Sequence, residues 1–167
     1  IPCRGEAGAV NMADAYARVS RGLGVAFTST GTAAGNAAGA MVEAQTAGTP
    51  VLHITGQIDT PHLDKNHGFI HEAKDQLTML KAVSKAAFRV RMPEEALRVF
   101  KDAVREALTA PMGPVSVEVP IDVQQAEVSL PDDFSPLAVE LAEPNITELD
   151  ALADILVLVV SAVCSYA

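Results

Sequence analysis

The sequence predicts an α/β fold: a parallel sheet of about five strands with helices on both faces, layered as in flavodoxin-like and Rossmann-like domains. Three observations predict it. Short β-prone runs bounded by Gly or Pro alternate with longer segments of helical periodicity. The runs are separated by helix-length segments, and parallel pairing needs such crossovers. The chain of 167 residues is 49% hydrophobic, enough to bury a core without staples.

The elements follow in order. Residues 1–4 read as the stub of a first strand. Residues 6–20 set Ala9, Val10, Ala13 and Ala17 on one side of a helix. Residues 25–29 form a β-prone run between Gly24 and the loop holding Gly31. Residues 33–47 are rich in Ala and Gly, which permits a helix to approach a sheet closely. Residues 51–55, bounded by Pro50 and Gly56, predict a buried strand with His53 inside it. Residues 72–82 carry a fainter helical pattern. Residues 87–91 are a strand stopped by Pro93. Residues 94–109 place Leu97, Phe100, Val104 and Leu108 on one face, and Pro93, Glu94 and Glu95 suit the helix start. Val115, Val117 and Val119 alternate in a last strand between Pro114 and Pro120.

There is no internal repeat. The composition breaks near Pro131, where an acidic stretch with three prolines reads as a linker. The expected organisation is one domain over residues 1–130, a linker over 131–145, and the start of a truncated second domain over 146–167, helical to residue 163. The first domain reads as beginning late, without its first strand and helix.

Charge and composition exclude several classes. Twelve Lys and Arg stand against 21 Asp and Glu, a net charge of −9. Nucleic-acid binders carry basic surfaces, so none is expected as a partner. Aromatic residues are 4% and Trp is absent, so base-stacking platforms are not expected either. Cys3 and Cys164 lie too far apart in sequence for a metal motif or a disulfide framework, which predicts a reduced, cytoplasmic setting. The apolar run at 155–167 is shorter than the roughly 20 residues of a membrane-spanning helix. The four histidines show no HExxH pattern, and Gly68 disfavours a helix joining His67 to His71, so no metal site is expected.

Two places stand out chemically. The segment Ser29-Thr-Gly-Thr-Ala-Ala-Gly-Asn36 lies in a strand-to-helix turn, where small residues let a backbone approach a ligand and a helix N-terminus accepts polar groups. In parallel sheets, ligands bind outside the carboxyl ends of the strands. A tight turn is the plainer reading. Glu6 opens the first helix, where it either complements the helix dipole or serves as a catalytic carboxylate.

Taken together, these residues resemble a family. The run from Arg4 to Arg18 (RGEAGAVNMADAYAR) is similar to the segment carrying the catalytic glutamate of thiamine-diphosphate enzymes, among them acetolactate synthase, pyruvate oxidase, oxalyl-CoA decarboxylase and benzoylformate decarboxylase. The turn ending at Asn36 resembles their S-G-P-G-x-x-N loop. The segments PVLHITGQ at 50–57, KAAFRV at 85–90 and GPVSVEVPIDV at 113–123 match later strand signatures, in family order.

The resemblance implies the pyrimidine-binding domain of a 2-keto acid decarboxylase or carboligase, acetolactate-synthase-like. It implies Glu6 as the catalytic residue, facing N1′ of the aminopyrimidine and favouring the imino tautomer that takes the C2 proton. That role asks for a carboxyl in a mostly apolar cleft. Thr30, Gly31 and Asn36 would join Glu6 in binding thiamine diphosphate, and His71 would lie on the substrate side. Mg²⁺ and the diphosphate would be held by a phosphate-binding domain, since its G-D-G motif is absent here. A homo-oligomer, dimer or tetramer, is implied as well, and the isolated chain would be inactive. Gly5 stands where many members carry His, Thr32 replaces the loop proline, and His71-Glu72 replaces Gln-Glu. Asp75-Gln-Leu resembles oxalyl-CoA decarboxylase, so the substrate stays open. Two other readings also stay open: one subunit of a split decarboxylase, and a non-catalytic truncated α/β domain.

Overall fold

The computed structural model describes residues 1–129, 137–139 and 146–164, with side chains as far as Leu158. The linker expected over 131–145 lies mostly outside the described residues. The elements run α1 (Glu6–Ser20), β1 (Gly24–Thr28), α2 (Thr32–Thr46), β2 (Val51–Gln57), α3 (Gln76–Val83), β3 (Ala86–Arg89), α4 (Ala96–Leu108), β4 (Val115–Pro120), α5 (Ile121–Gln125) and α6 (Ile146–Cys164). Three-residue 3-10 turns at Thr60–His62 and Pro93–Glu95 precede α3 and α4.

The strands form one sheet in the order β1-β2-β4-β3, every pair parallel. Leu52 lies beside Val25 on one side and Val115 on the other, and Ala86 pairs with Val115. Helices cover both faces. Val99, Ala103 and Ala107 of α4 pack on Leu52, Val115, Val117 and Val119. On the opposite face, Val10 and Ala13 of α1 and Ala37, Ala40, Met41 and Ala44 of α2 pack on Ala26 and Val51. The small side chains explain the fit, because Ala and Gly let the helix backbones lie close to the sheet.

Several expectations need correction. The stripe on α4 is Val99–Ala103–Ala107, with Phe100 and Val104 at its margin, one position away from the predicted face. Helix α3 starts at Gln76, four residues later than expected, because the Asp75 side chain caps it by accepting the Thr78 N–H at 3.0 Å. All of β4 is buried, as befits a central parallel strand covered on both sides.

The sheet has four strands among the described residues. Residues 1–4 do not pair. A cavity of about 630 Å³ separates them from β1, walled also by Met12 and Tyr16 of α1. A ladder needs a neighbour about 4.8 Å away, and none is there. The outer edge of β1 is therefore open. Val25 and Phe27 point toward the face that α4 covers further along the sheet, and they stay 47% and 71% exposed.

His53 is fully buried, as its strand predicted. Its Nε2 lies 2.9 Å from Thr28 Oγ1 and its Nδ1 lies 3.2 Å from Ser116 Oγ, which meets Ser84 Oγ at 2.9 Å. Burial disfavours the imidazolium and lowers the pKa from 6.5 to about 4. The unfolded chain thus takes up this proton at a higher pH than the folded one. Stability is fully present above pH 6.5 and is lost as pH falls toward 4, by roughly 3 kcal/mol from this group. In a His53→Gln variant, which keeps polar partners without titrating, the melting temperature should fall much less between pH 6.5 and 4. An equal fall in both proteins would rule His53 out as the cause.

Candidate active site

The candidate residues gather beyond the carboxyl ends of β1 and β2, where parallel sheets place their ligands. β1 ends at Thr28 and α2 begins at Thr32, so Thr30 and Gly31 form the turn between them. Gly31 has φ 57° and ψ −101°, a backbone that side-chain-bearing residues avoid. A β-carbon at Gly31 would lie 1.7 Å from the His71 carbonyl oxygen. Glycine therefore lets the 58–75 loop lie directly on the turn.

That loop is fixed by its own contacts. His71 has φ 61°, and its Nδ1 lies 2.7 Å from Thr32 Oγ1. Asp64 and Asn66 also take positive φ, a region that Asp, Asn and His tolerate better than most residues. The Glu72 carboxylate accepts the Phe69 N–H at 2.9 Å and the Gly68 N–H at 2.6 Å. The Phe69 bond foremost holds that carboxyl below its usual pKa.

Glu6 and Asn36 meet. Asn36 Nδ2 donates to Glu6 Oε2 at 3.2 Å, joining the first turn of α1 to the second turn of α2. Glu6 Oε1 takes no hydrogen bond from a described residue, so that oxygen is available to a ligand. Glu6 is half-buried and Asn36 exposed, so the carboxyl is not enclosed in the apolar cleft that its expected role asks for. Two contiguous patches result: Glu6 with Asn36, and Thr30–Gly31 with Thr32 and His71. The cavity beside β1 touches Glu6 but none of Thr30, Gly31, Asn36 or His71, and it belongs to the open sheet edge rather than to this surface.

Beneath the turn lies a buried polar network that the sequence reading did not single out. Gln57, Gln76 and Glu118 are all buried. Glu118 Oε2 accepts from Gln57 Nε2 at 3.2 Å and from Gln76 Nε2 at 2.9 Å, while Arg89 Nε donates to Glu118 Oε1. Arg89 also pairs with Asp64 at 2.9 Å. One sequence signal existed: Glu118 stands in the middle of VSVEV, an ionisable residue inside a strand that has no wet face. Among the described residues no group of three or more His, Cys, Asp or Glu side chains is placed to hold a metal. Cys3 is a free, exposed thiol, and no helix among these residues is long and apolar enough to cross a membrane.

Residues 1–79 match the family profile described as thiamine pyrophosphate enzyme, N-terminal TPP binding domain. That match covers just under half of the 167 residues. The chain is 33% identical over 141 residues to a probable acetolactate synthase large subunit of Methanocaldococcus jannaschii, covering 84% of this chain and 23% of that protein. It is 32% identical over 152 residues to glyoxylate carboligase of Escherichia coli, covering 90% of this chain and 25% of that protein. The chain thus spans about a quarter of the length of the curated relatives it matches. Benzoylformate decarboxylase from Polynucleobacter necessarius shares the fold, with a TM-score of 0.74 at 23% identity over 90% of this chain and 28% of the other. The Glu6 and Gly31 surfaces both lie within the residues that match that profile.

Proposed function

We propose that this domain activates thiamine diphosphate in a 2-keto acid decarboxylase or carboligase of the acetolactate synthase kind. The observation that carries the reading is the contact between Glu6 and Asn36. These residues lie 30 positions apart, in two separate motifs, and fold onto one surface with the Thr30–Gly31 turn close by. When bound, thiamine diphosphate supplies the electron sink for cleaving or joining a bond at a keto carbon.

The chain's own residues fit the aminopyrimidine end of that cofactor. Glu6 carries a carboxyl with one oxygen oriented by Asn36 and the other without a partner. A carboxyl so placed can accept a ring N–H or share a proton with a ring nitrogen. Thr30 and Gly31 form a compact turn beside Glu6 and Asn36, with the His71 backbone lying on it. His71, braced by Thr32, sits on the side from which a substrate would approach.

The surface is open, so a second body must exclude water from it. Added β-carbons at Gly5, Gly8, Gly35 and Gly39 would meet nothing within 4 Å, which leaves the ground around Glu6 and Asn36 low and accessible. We assign the covering role to a phosphate-binding domain, in the same or another chain, which holds Mg²⁺ and the diphosphate. In this reading the working form is a dimer or tetramer in the cytoplasm, the 146–167 segment begins a second domain, and the 167-residue chain alone turns nothing over.

Titration calorimetry on the complete enzyme that carries this domain tests the proposal. Saturable binding of thiamine diphosphate in the presence of Mg²⁺ is expected. A correctly folded complete enzyme that binds none would overturn it.

A further inference from the structure

We infer that Gln76 is a positioning residue for the Thr30–Gly31 turn, oriented for that task by the buried Glu118–Arg89 pair. The inference deepens the cofactor reading above and rests on it for its functional arm.

The geometry of one amide carries the argument. Gln76 is 1% exposed and stands at the first position of α3. Its Oε1 accepts the Gly31 N–H at 2.6 Å and the Thr30 hydroxyl at 3.3 Å. Its Nε2 donates to the Gly56 carbonyl at 2.9 Å and to Glu118 Oε2 at 2.9 Å. Both donors and the oxygen are therefore used, and the amide has only one workable orientation. The Gly56 carbonyl accepts only. Glu118, the ion-pair partner of Arg89, accepts from Gln76 as well. Both force the nitrogen toward β2 and β4, which leaves the oxygen for the turn.

Gln57 makes the restraint two-sided. Its Nε2 donates to Glu118, and its Oε1 accepts the Ile58 N–H at 2.8 Å and shares the one Thr30 hydroxyl proton, at 3.4 Å, with Gln76 Oε1. The turn is thus held from below by two amides that share one carboxylate, and from above by the His71 backbone. Such a buried network is rigid when every member is satisfied. Among the described residues no buried side-chain N or O lacks a partner. A site held this firmly is preorganised, and it binds without first ordering its loop.

The test uses nuclear magnetic resonance on this chain and cofactor titration on the complete enzyme. In the wild-type chain, a scalar coupling through the hydrogen bond should link Gly31 N to the Gln76 side-chain carbonyl carbon. Its absence would overturn the inference without any variant. In Gln76→Met, which fills the space but accepts no such bond, Gly31 amide exchange should rise about 10–100-fold beyond the change at Val117, a core reporter of global opening. In Gln76→Glu the oxygen that replaces Nε2 would face the Gly56 carbonyl and Glu118, both acceptors, so Gly31 exchange should rise beyond Val117 here too. Equal acceleration at Gly31 and Val117 in both variants would reduce Gln76 to a structural brace and overturn the positioning role.

In the complete enzyme, Gln76→Met should raise the half-saturating thiamine diphosphate concentration on the order of tenfold and leave the rate at saturating cofactor within about threefold. Unchanged half-saturation would also overturn it. If the wild-type enzyme binds no cofactor, the functional proposal fails, while the Gly31 measurements still decide whether Gln76 sets the turn.

Discussion

Replacing Glu6 with Gln in the complete enzyme should slow C2-proton exchange of bound thiamine diphosphate by about 10²–10⁴-fold, the usual effect of losing a positioned acid or base. The substitution is nearly isosteric. The new amide oxygen still accepts from Asn36 Nδ2, so the bridge between α1 and α2 survives. What is lost is the ability to share a proton with a ring nitrogen. Folding should barely change, because a first-turn carboxylate contributes only ~0.3–1 kcal/mol through the helix dipole, and Glu6 is half-exposed. A purely helix-stabilising glutamate predicts the reverse pattern: a small loss of stability and unaltered exchange. Exchange of the C2 proton into deuterium oxide separates the two, and an unchanged rate removes Glu6 from catalysis.

The second large effect is expected at Gly31. Gly31→Ala should cost more than about 3 kcal/mol and lower the melting temperature by roughly 10 °C. Two costs add. The positive φ disfavours any β-carbon, and the added carbon would sit 1.7 Å from the His71 carbonyl oxygen, a backbone atom that cannot swing aside like a side-chain tip. Gly48 supplies the internal control. It also has positive φ, at 65°, but its nearest neighbour would be the Met112 carbonyl oxygen at 3.5 Å, an ordinary contact. Gly48→Ala should therefore cost only ~1–2 kcal/mol, the conformational part alone. Thermal melts of both variants decide the matter. Equal destabilisation would mean that the 58–75 loop does not press on the turn.

Much of this molecule could be read from the chain. The alternation of β-prone runs with helical periods fixed the layer order, because a parallel strand cannot be reached without a crossover. The four runs at 25–29, 51–55, 87–91 and 115–119 all became strands, within three residues at either end. Glu6, Thr30, Gly31, Asn36 and His71 were legible as residues because their motifs are local: each is a short stretch at an element boundary.

The fifth strand failed for a reason that is not local. Residues 1–4 have a short apolar lead, but a strand exists only where a neighbour supplies its hydrogen bonds, and the β1 edge lies across a cavity. The start of α3 failed for a local reason that periodicity does not carry: the cap at Asp75 outweighed the weaker pattern upstream. The α4 stripe slipped by one position because small Ala residues, not the larger apolar ones, sit where the helix touches the sheet.

The sequence by itself thus determined the layered parallel fold, the resemblance to thiamine-diphosphate enzymes and the residue types at the candidate positions. Tertiary structure alone decided which of them meet. Glu6 touches Asn36 across 30 residues, His71 closes over Gly31 across 40, and Gln76 joins that turn to Glu118 across 42. No motif spans such distances. The physical reason is that a buried amide or carboxylate must find its partners wherever packing brings them. In a parallel sheet that packing is set by strand order, β1-β2-β4-β3, which does not follow chain order.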